Sequence, residues 1–347
     1  MISRKSYIMS LLVFLVAIPL ALAQTEIAIT SYDKASEVLW ASPDGFDLTM
    51  DIYTPNNGQV SYPVIVMFHG GGWLINNQSI MDQSCDYLAT HGNYVVCNVN
   101  YRLLGDMENS VTMDEIIEDA MGAILWVKHH ISNYKGDPDR IIVTGDSAGG
   151  HLATVITLQG TQLNSGGFDK GPDGFHPSWL PKGKTCEEIA LENGMEVQAA
   201  IISYGAFNLY EACKHGFESA GNIFWTLSNV EPRGIFGNEV NSTDHPEYYQ
   251  KVSPYYQISN PTVLELPPML FTVGDKDNTT TPTSIKSFIK KLNEAGYYDT
   301  LYWEHKNRPH AFLDSGSNPY LGIQFEKDAP PALDVMLAFL NGIFYEK

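Results

Sequence analysis

The chain has 347 residues, of which 44% are hydrophobic and 18% are charged. This composition indicates a globular protein with a sizeable core and excludes an intrinsically disordered chain. Acidic residues outnumber basic ones by 40 to 21, which gives a net charge of −19. Such a surface disfavours nucleic acids and anionic membranes as partners.

The N-terminus has the pattern of a processing signal. Arg4 and Lys5 precede an apolar run over residues 11–22, and Ala21 and Ala23 supply the small residues of a cleavage site. The run is short for a membrane span, although an uncleaved anchor is the alternative. We therefore expect residues 1–23 to be a signal peptide, cleaved near Ala23-Gln24. The mature chain, residues 24–347, would then be secreted or periplasmic and not membrane-bound.

Export would permit disulfides among the four cysteines, Cys85, Cys97, Cys186 and Cys213. Four cysteines allow three full pairings, and the sequence does not choose among them. Cys186 and Cys213 fall in loop-rich segments, where a bridge would stabilise the chain most, so that pairing is one candidate. No Cys and His spacing is typical of a zinc site.

The first half of the chain alternates strand and helix patterns. Two strand-like runs within residues 36–53 flank a turn at 42–45. The predicted elements that follow are a buried strand at 63–68, a helix at 79–90, a strand at 94–99, an amphipathic helix from the capping pair Thr112 and Glu115 to about His130, a loop at 133–140 and a strand at 140–144. This alternation predicts a mostly parallel sheet with helices on both faces.

The second half contains two long irregular segments, at about 159–196 and 208–261. A strand at 197–203 separates them, and a strand at 269–273, a helix at 283–294, a strand at 300–303 and a helix at 332–344 follow. Loops of this length are usually lids or binding loops, with surface decoration as the alternative. We predict one α/β domain that carries two insertions.

Residues 145–150 read Gly-Asp-Ser-Ala-Gly-Gly, between the strand at 140–144 and a helical pattern. Gly-x-Ser-x-Gly in this context is typical of a nucleophile elbow, in which a strained serine is flanked by glycines. A serine hydroxyl needs an imidazole to accept its proton and a carboxylate to orient that imidazole. The rest of the chain must supply both groups.

The order Ser, Asp, His along the chain is expected for this kind of sheet. Ser147, Asp277 and His310 follow that order, and each comes after a predicted strand. Asp275 is the alternative acid, although its closeness to the strand favours a turn-stabilising role. His305 is the alternative base, although it lies within the predicted strand region. We predict Ser147, Asp277 and His310 as a catalytic triad.

The run His69-Gly70-Gly71-Gly72 follows a buried strand and has no side chains that would obstruct an ester carbonyl. Backbone N–H groups in such a loop can stabilise the negative charge of a tetrahedral intermediate. The N–H of Ala148, at the start of the helix after Ser147, would complete this oxyanion hole.

These motifs together resemble the hormone-sensitive-lipase-like group of α/β-hydrolase esterases. The residues that carry the resemblance are His69–Trp73 (HGGGW), Val99–Leu103 (VNYRL), Gly145–Ala153 (GDSAGGHLA) and His310–Phe312 (HAF). The resemblance extends from about Val64 to the C-terminus. It implies an α/β-hydrolase fold and assigns the oxyanion donors to Gly71 and Gly72. Because the chain begins with strands and not with a helical cap, it is more similar to secreted acetyl-xylan and feruloyl-type carbohydrate esterases.

The predicted function is a secreted serine carboxylesterase that works through an acyl-enzyme, without metal or organic cofactor. A short acyl group, above all acetyl, on a small-molecule, oligosaccharide or polysaccharide ester is the expected substrate. Four aromatic residues are candidates for stacking on sugar rings: Trp73, Trp179, Phe224 and Trp225. The alternatives are a feruloyl esterase, a general short-chain lipase or esterase, a serine exopeptidase and a non-catalytic binding protein on the same fold.

Overall fold

A computed structural model describes residues 30–168 and 171–346. The predicted signal peptide, residues 1–23, lies outside this range. Within the described ranges, none of the helices combines the length and the hydropathy that crossing a membrane requires.

The centre of the molecule is an eight-stranded sheet with the order β1-β2-β4-β3-β5-β6-β7-β8. Its strands are β1 (Tyr32–Ala41), β2 (Leu48–Pro55), β3 (Tyr62–Phe68), β4 (Val95–Val99), β5 (Gly136–Asp146), β6 (Ala199–Ser203), β7 (Met269–Gly274) and β8 (Thr300–His305). The pairs β1–β2 and β2–β4 are antiparallel, and every pair from β4 to β8 is parallel. A small antiparallel pair, β9 (Ser317–Asn318) and β10 (Ile323–Gln324), lies apart from this sheet.

Eleven α-helical segments connect and cover the described strands. They are α1 (Asp82–His91), α2 (Asp106–Asn109), α3 (Met113–His130), α4 (Ala148–Gln159), α5 (Cys186–Leu191), α6 (Leu209–Lys214), α7 (Ile223–Ser228), α8 (Pro246–Lys251), α9 (Pro282–Ala295), α10 (Phe325–Asp328) and α11 (Pro330–Phe344). Helices α1 and α11 contact each other, as do α3 and α4, so the sheet lies between helical layers. The predicted mostly parallel α/β architecture is confirmed.

Local sequence explains the main elements. Every residue of β3 is buried, as its unbroken apolar run predicts for a central parallel strand. Helix α3 begins at the predicted capping box, in which the side chain of Glu115 accepts a hydrogen bond from the N–H of Thr112 (2.6 Å). One prediction was wrong: residues 136–140 belong to β5, because the Tyr62 end of β3 pairs with Gly136 and extends the ladder.

Helix α4 is buried along its entire length, since it packs against β3, β5 and β6 of the sheet, against α3 and against residues 254–256, which follow α8. The Nε2–H of His151 donates to the carbonyl oxygen of Val252 (2.7 Å). Burial lowers the pKa of His151 to about 4, so its imidazole is neutral near pH 7. The residues between β6 and β7, numbers 204–268 and here called the β6–β7 connection, are thereby fixed to α4.

The cysteines do not form disulfides in the structure. Cys85, Cys97, Cys186 and Cys213 are all buried and free. The candidate bridge between Cys186 and Cys213 is therefore wrong. Each thiol packs instead within the hydrophobic core, Cys186 at the start of α5 and Cys213 in α6. Burial raises the pKa of Cys186 to about 11 and that of Cys213 well above its usual value, which makes both thiols poor nucleophiles.

A half-buried carboxyl on α3, that of Glu118, makes the stability of the fold depend on pH. Burial, reinforced by the neighbouring Asp114 and Asp119, raises the pKa of Glu118 from 4.5 to about 9, although its Oε1 accepts a hydrogen bond from the N–H of His176 (2.6 Å). The unfolded chain loses this proton near pH 4.5, whereas the folded chain retains it. The contribution of Glu118 to the free energy of unfolding therefore falls as the pH rises between these two values.

Glu118→Gln is expected to remove this part of the pH dependence, because the neutral amide keeps the acceptor for His176 and has no charge to bury. The variant should be more stable than the wild type at pH 8, by on the order of a few kcal/mol, and equally stable at pH 4. Urea unfolding at the two pH values measures the difference. Glu294→Gln, on the exposed face of α9, is the control and should change neither value. An equal effect of Glu118→Gln at both pH values would contradict the prediction.

Candidate active site

Ser147 lies at a sharp turn between β5 and α4. Its backbone has φ 51° and ψ −112°, in the region that costs a non-glycine residue about 1–3 kcal/mol. The turn is held by two hydrogen bonds, from the N–H of Ser147 to the carbonyl oxygen of Ser203 (2.9 Å) and from the N–H of His151 to that of Ser147 (3.0 Å). The sheet and the helix therefore hold the hydroxyl at the carboxyl end of the central strands.

Two glycines permit this turn by close approach of the backbone. A Cβ at Gly149 would lie 1.9 Å from the carbonyl oxygen of Phe68, at the end of β3. A Cβ at Gly145 would lie 2.4 Å from the backbone of Gly149. Real Cβ atoms do not come so close to backbone atoms, so neither position admits a side chain without movement of the chain.

Gly149→Ala is expected to destabilise the protein by roughly 3 kcal/mol or more, because α4 must move away from β3 to admit the methyl group. The matched control is Gly342→Ala in α11, where a Cβ meets nothing within 4 Å. This control should stabilise the protein by up to about 1 kcal/mol through helix propensity alone. Denaturant unfolding of the two variants measures both effects. If both variants changed the free energy of unfolding in the same direction, the steric explanation would be wrong.

The structure brings the three predicted triad residues together. The hydroxyl of Ser147 lies 2.9 Å from Nε2 of His310, and Nδ1 of His310 lies 2.8 Å from Oδ2 of Asp277. The side chain of Asp277 is fully buried, and that of His310 is 12% exposed. With the proton of the imidazole on Nδ1, His310 donates to the carboxylate and accepts from the serine hydroxyl. This arrangement can remove the serine proton during attack on a carbonyl group.

Three residues that the sequence reasoning missed support the acid and the base. The N–H groups of Thr279 and Thr280 donate to Oδ1 of Asp277 (2.8 and 2.9 Å). The hydroxyl of Thr280 donates to the carbonyl oxygen of Tyr204 (2.7 Å), and the ring of Tyr204 packs edge-on against His310 with 4.7 Å between centroids. The position of the threonines two and three residues after an aspartate is typical of an Asx turn and could have indicated the first contact.

The alternative acid and base have other partners. Oδ1 of Asp275 accepts a hydrogen bond from the N–H of Asn307 (2.7 Å), which ties the loops after β7 and β8 together. His305 ends β8, and its Nε2–H donates to the carbonyl oxygen of Asp328 (2.8 Å). The geometry thus favours Asp277 and His310.

The loop at 70–73 has the conformation that its glycines permit. Gly71 has φ 122° and Gly72 has φ 61°, and a Cβ at Gly71 would lie 2.2 Å from the carbonyl oxygen of Ile75. Among the described residues, the backbone hydrogen bonds of this region do not use the N–H groups of Gly71, Gly72 or Ala148. Ala148 opens α4, where the helix dipole also favours negative charge. The three predicted donors are therefore free to bind an oxyanion.

The segment after β4, which contains Tyr101 and Arg102, holds the glycine loop in place. The hydroxyl of Tyr101 donates to the carbonyl oxygen of His69 (2.6 Å), and the two rings stack with 4.4 Å between centroids. The buried guanidinium of Arg102 binds both carboxylate oxygens of Asp119 (2.8 and 2.9 Å). The VNYRL motif therefore has a structural role, which is to anchor the glycine loop against α3.

Burial shifts the pKa values of two ionisable residues next to the site, His69 and Asp146. Burial lowers the pKa of His69 to about 4, so this residue is neutral and acts as a structural partner. Burial also raises the pKa of Asp146, next to the nucleophile, to about 6 in spite of the nearby His310. Within residues 30–168 and 171–346, no group of three or more His, Cys, Asp or Glu side chains could hold a metal ion.

A cavity of about 570 Å³ opens beside Ser147. Most of its wall comes from the β6–β7 connection, together with Gly72, Trp73, Thr279 and Thr280. The aromatic side chains in the wall are Trp73, Phe217 and Phe224. Two of the four predicted stacking residues, Trp73 and Phe224, therefore face the cavity.

The other two predicted stacking residues lie elsewhere. Trp179 packs against His129 and His130 at the end of α3 (5.6 and 5.3 Å between centroids) and is absent from the cavity wall. Trp225 is 1% exposed, and its indole N–H donates to the carbonyl oxygen of Phe217 (2.8 Å). Both predictions were wrong, because these rings stabilise the packing of helices.

Solved structures and curated proteins provide comparisons for this geometry. The apo form of Thermogutta terrifontis esterase 2 superposes with a TM-score of 0.63 at 22% identity, over 92% of this chain and 97% of that one. This likeness confirms the predicted α/β-hydrolase fold.

Two curated relatives are esterases. The isoprenylcysteine alpha-carbonyl methylesterase of Arabidopsis thaliana is 27% identical over 251 residues, covering 71% of this chain and 50% of that protein. Esterase LipQ of Mycobacterium tuberculosis is 26% identical over 255 residues, covering 72% of this chain and 50% of that protein. The chain thus spans about half the length of these relatives. They support the predicted enzyme class, carboxylic ester hydrolase.

The BD-FAE family model matches residues 50–292. This region includes the glycine loop, Ser147 and Asp277, and it ends before His310. Because the match covers more than half of the chain, the protein belongs to the BD-FAE family of α/β-hydrolase-fold proteins.

Proposed function

We propose that the protein is a serine carboxylesterase with Ser147 as nucleophile, His310 as general base and acid, and Asp277 as the orienting carboxylate. The observation that carries this proposal is the unbroken hydrogen-bond chain from Ser147 through His310 to Asp277, with distances of 2.9 and 2.8 Å, at the edge of an open cavity. A bound ester would find the nucleophile and Gly72 in the cavity wall, with the base in hydrogen-bond contact with the nucleophile.

The reaction proceeds through an acyl-enzyme. Oγ of Ser147 attacks the ester carbonyl carbon while Nε2 of His310 takes the hydroxyl proton. The N–H groups of Gly71, Gly72 and Ala148 stabilise the tetrahedral oxyanion. His310 then protonates the departing alcohol, and the acyl group remains on Ser147. Water, deprotonated by His310, attacks this second ester and releases the acid, which restores the serine.

The finer proposal is a secreted enzyme that removes short acyl groups, above all acetyl, from oligosaccharide or polysaccharide esters. The signal-peptide pattern at residues 1–23 supports export. The cavity wall supports an amphipathic substrate, because it combines aromatic rings with polar side chains such as Asn208, Ser219 and Asn222. The resemblance to acetyl-xylan and feruloyl-type esterases points in the same direction.

The decisive experiment on the reaction type is turnover of p-nitrophenyl acetate by residues 24–347, with mass spectrometry of the quenched enzyme. We expect a mass increase of one acetyl group on the peptide that contains Ser147. Absence of turnover across pH 5–9 would overturn the esterase proposal and favour a non-catalytic binding protein.

A substrate panel tests the finer proposal. Acetate release from acetylated xylan should exceed ferulate release from feruloylated arabinoxylan and cleavage of peptide amides. Faster ferulate release would favour a feruloyl esterase, and faster amide cleavage would favour a serine exopeptidase. Turnover of simple esters without any release from polysaccharides would indicate a general short-chain esterase.

A further inference from the structure

Phe224, in the β6–β7 connection, lies directly on the glycine loop. Three atoms of its ring, Cγ, Cδ1 and Cδ2, lie within 2.7–2.8 Å of the position that a Cβ on Gly72 would occupy. The face of the ring therefore covers the Cα of Gly72, the residue whose N–H we assign to the oxyanion hole. Only a glycine at position 72 allows this contact.

Helix α7 holds the ring in this place. The side chain of Asn222 caps the helix by accepting a hydrogen bond from the N–H of Phe224 (2.9 Å). The next residue, Trp225, is buried and anchors the helix through its bond to the carbonyl oxygen of Phe217. Ile223 and Leu227 point outward and are 58% and 59% exposed. Within α7, Phe224 is thus the residue that forms part of the cavity wall.

The cavity beside Ser147 is the space that we assign to the acyl part of an ester. Its wall includes Ser147 and reaches Thr279 and Thr280, but it includes neither His310 nor Asp277. The alcohol oxygen must reach Nε2 of His310 to receive a proton, so the alcohol is directed toward the imidazole. The acyl chain needs no such contact and can extend into the cavity, whose wall includes Phe224 and Trp73.

We propose that Phe224 is a specificity-determining residue, which restricts the acyl group to a short chain by filling the space above Gly72. This inference rests on the proposed esterase function and goes beyond it by assigning the chain-length limit to one side chain. Trp73 and Phe217 form the remaining aromatic part of the wall. Their rings pack edge to face with 5.6 Å between centroids, so neither ring can move without displacing the other.

The test is the ratio of kcat/KM for p-nitrophenyl hexanoate to that for p-nitrophenyl acetate. Phe224→Ala should raise this ratio by about tenfold or more, since each methylene that gains apolar contact contributes to discrimination. Phe224→Trp should lower it below the wild-type value. A general loosening of the glycine loop would reduce both rate constants together and leave the ratio unchanged. Ile223→Ala and Leu227→Ala, on the exposed face of the same helix, are matched controls and should leave the ratio at the wild-type value.

A second substrate series separates the acyl from the alcohol side. Acetate esters of ethanol, butanol and hexanol should respond equally to Phe224→Ala. An unchanged hexanoate-to-acetate ratio, or a selective gain for the longer alcohols, would overturn the proposal while leaving the esterase function intact. Absence of wild-type turnover on every ester would overturn both proposals.

Discussion

Replacing Ser147 with alanine is expected to lower kcat for p-nitrophenyl acetate by about 10⁶-fold. The alanine has no oxygen that could attack the carbonyl carbon, so no acyl-enzyme can form. The oxyanion donors remain in place, so a residual acceleration of about 10³–10⁴-fold over water is expected to persist. Steady-state kinetics with a sensitive chromogenic or fluorogenic ester measures the loss.

The fold should tolerate this substitution. Ser147 contributes its N–H and carbonyl groups to the turn, and alanine retains both. We therefore expect thermal unfolding of Ser147→Ala to resemble that of the wild type, and the acetyl mass increase to disappear from the 147-containing peptide. Activity above about one per cent of the wild-type value in a folded variant would assign the nucleophile to another residue.

Asp277→Asn is expected to lower kcat by about 10⁴-fold. An amide at this position can present N–H to Nδ1 of His310, which favours the imidazole tautomer with its proton on Nε2. That tautomer cannot accept the proton of Ser147. The rate measured at a pH where the wild type is fully active gives the size of the effect.

Asp275→Asn is the matched comparison, only two residues away. The amide oxygen can still accept the hydrogen bond from the N–H of Asn307, so kcat should change by less than about tenfold. If Asp275→Asn were the more harmful of the two substitutions, the assignment of the acid would have to be reversed.

The central site was predictable because several independent signals agree. The elbow motif lies between a strand and a helix, and the candidate acid and base follow later strands in the expected order. In a parallel sheet the carboxyl ends of neighbouring strands meet at one edge, so residues far apart in sequence converge there. This explains why Ser147 and His310 are in hydrogen-bond contact although 163 positions separate them. It also explains why His305, which still lies on β8, does not take part in the hydrogen bonds of Ser147, His310 and Asp277.

The wall of the cavity was not predictable to the same degree. The segment at 208–261 has no apolar periodicity long enough to show which face of a short helix is buried. Phe224 and Trp225 are neighbours in α7, yet one lines the cavity and the other anchors the helix. The predicted stacking role of Trp179 and the candidate bridge between Cys186 and Cys213 were wrong for a related reason. A bridge was one candidate for Cys186 and Cys213 because both fall in loop-rich segments, whereas packing buried them as free thiols.

The β6–β7 connection has a consequence for how new specificities can arise on this scaffold. It leaves the sheet after Ser203 and returns at Met269, and it supplies most of the cavity wall but no member of the triad. A homologue or a chimaera with a different sequence at residues 205–268 can therefore accept a different substrate and keep the same Ser147, Asp277 and His310. On the catalytic side, such a graft must preserve the hydrogen bond from the N–H of Ala206 to the carbonyl oxygen of Ser147 (3.4 Å), as well as the acceptor for His151, now the carbonyl of Val252. Because a backbone carbonyl provides it, almost any sequence at that position can supply the same junction.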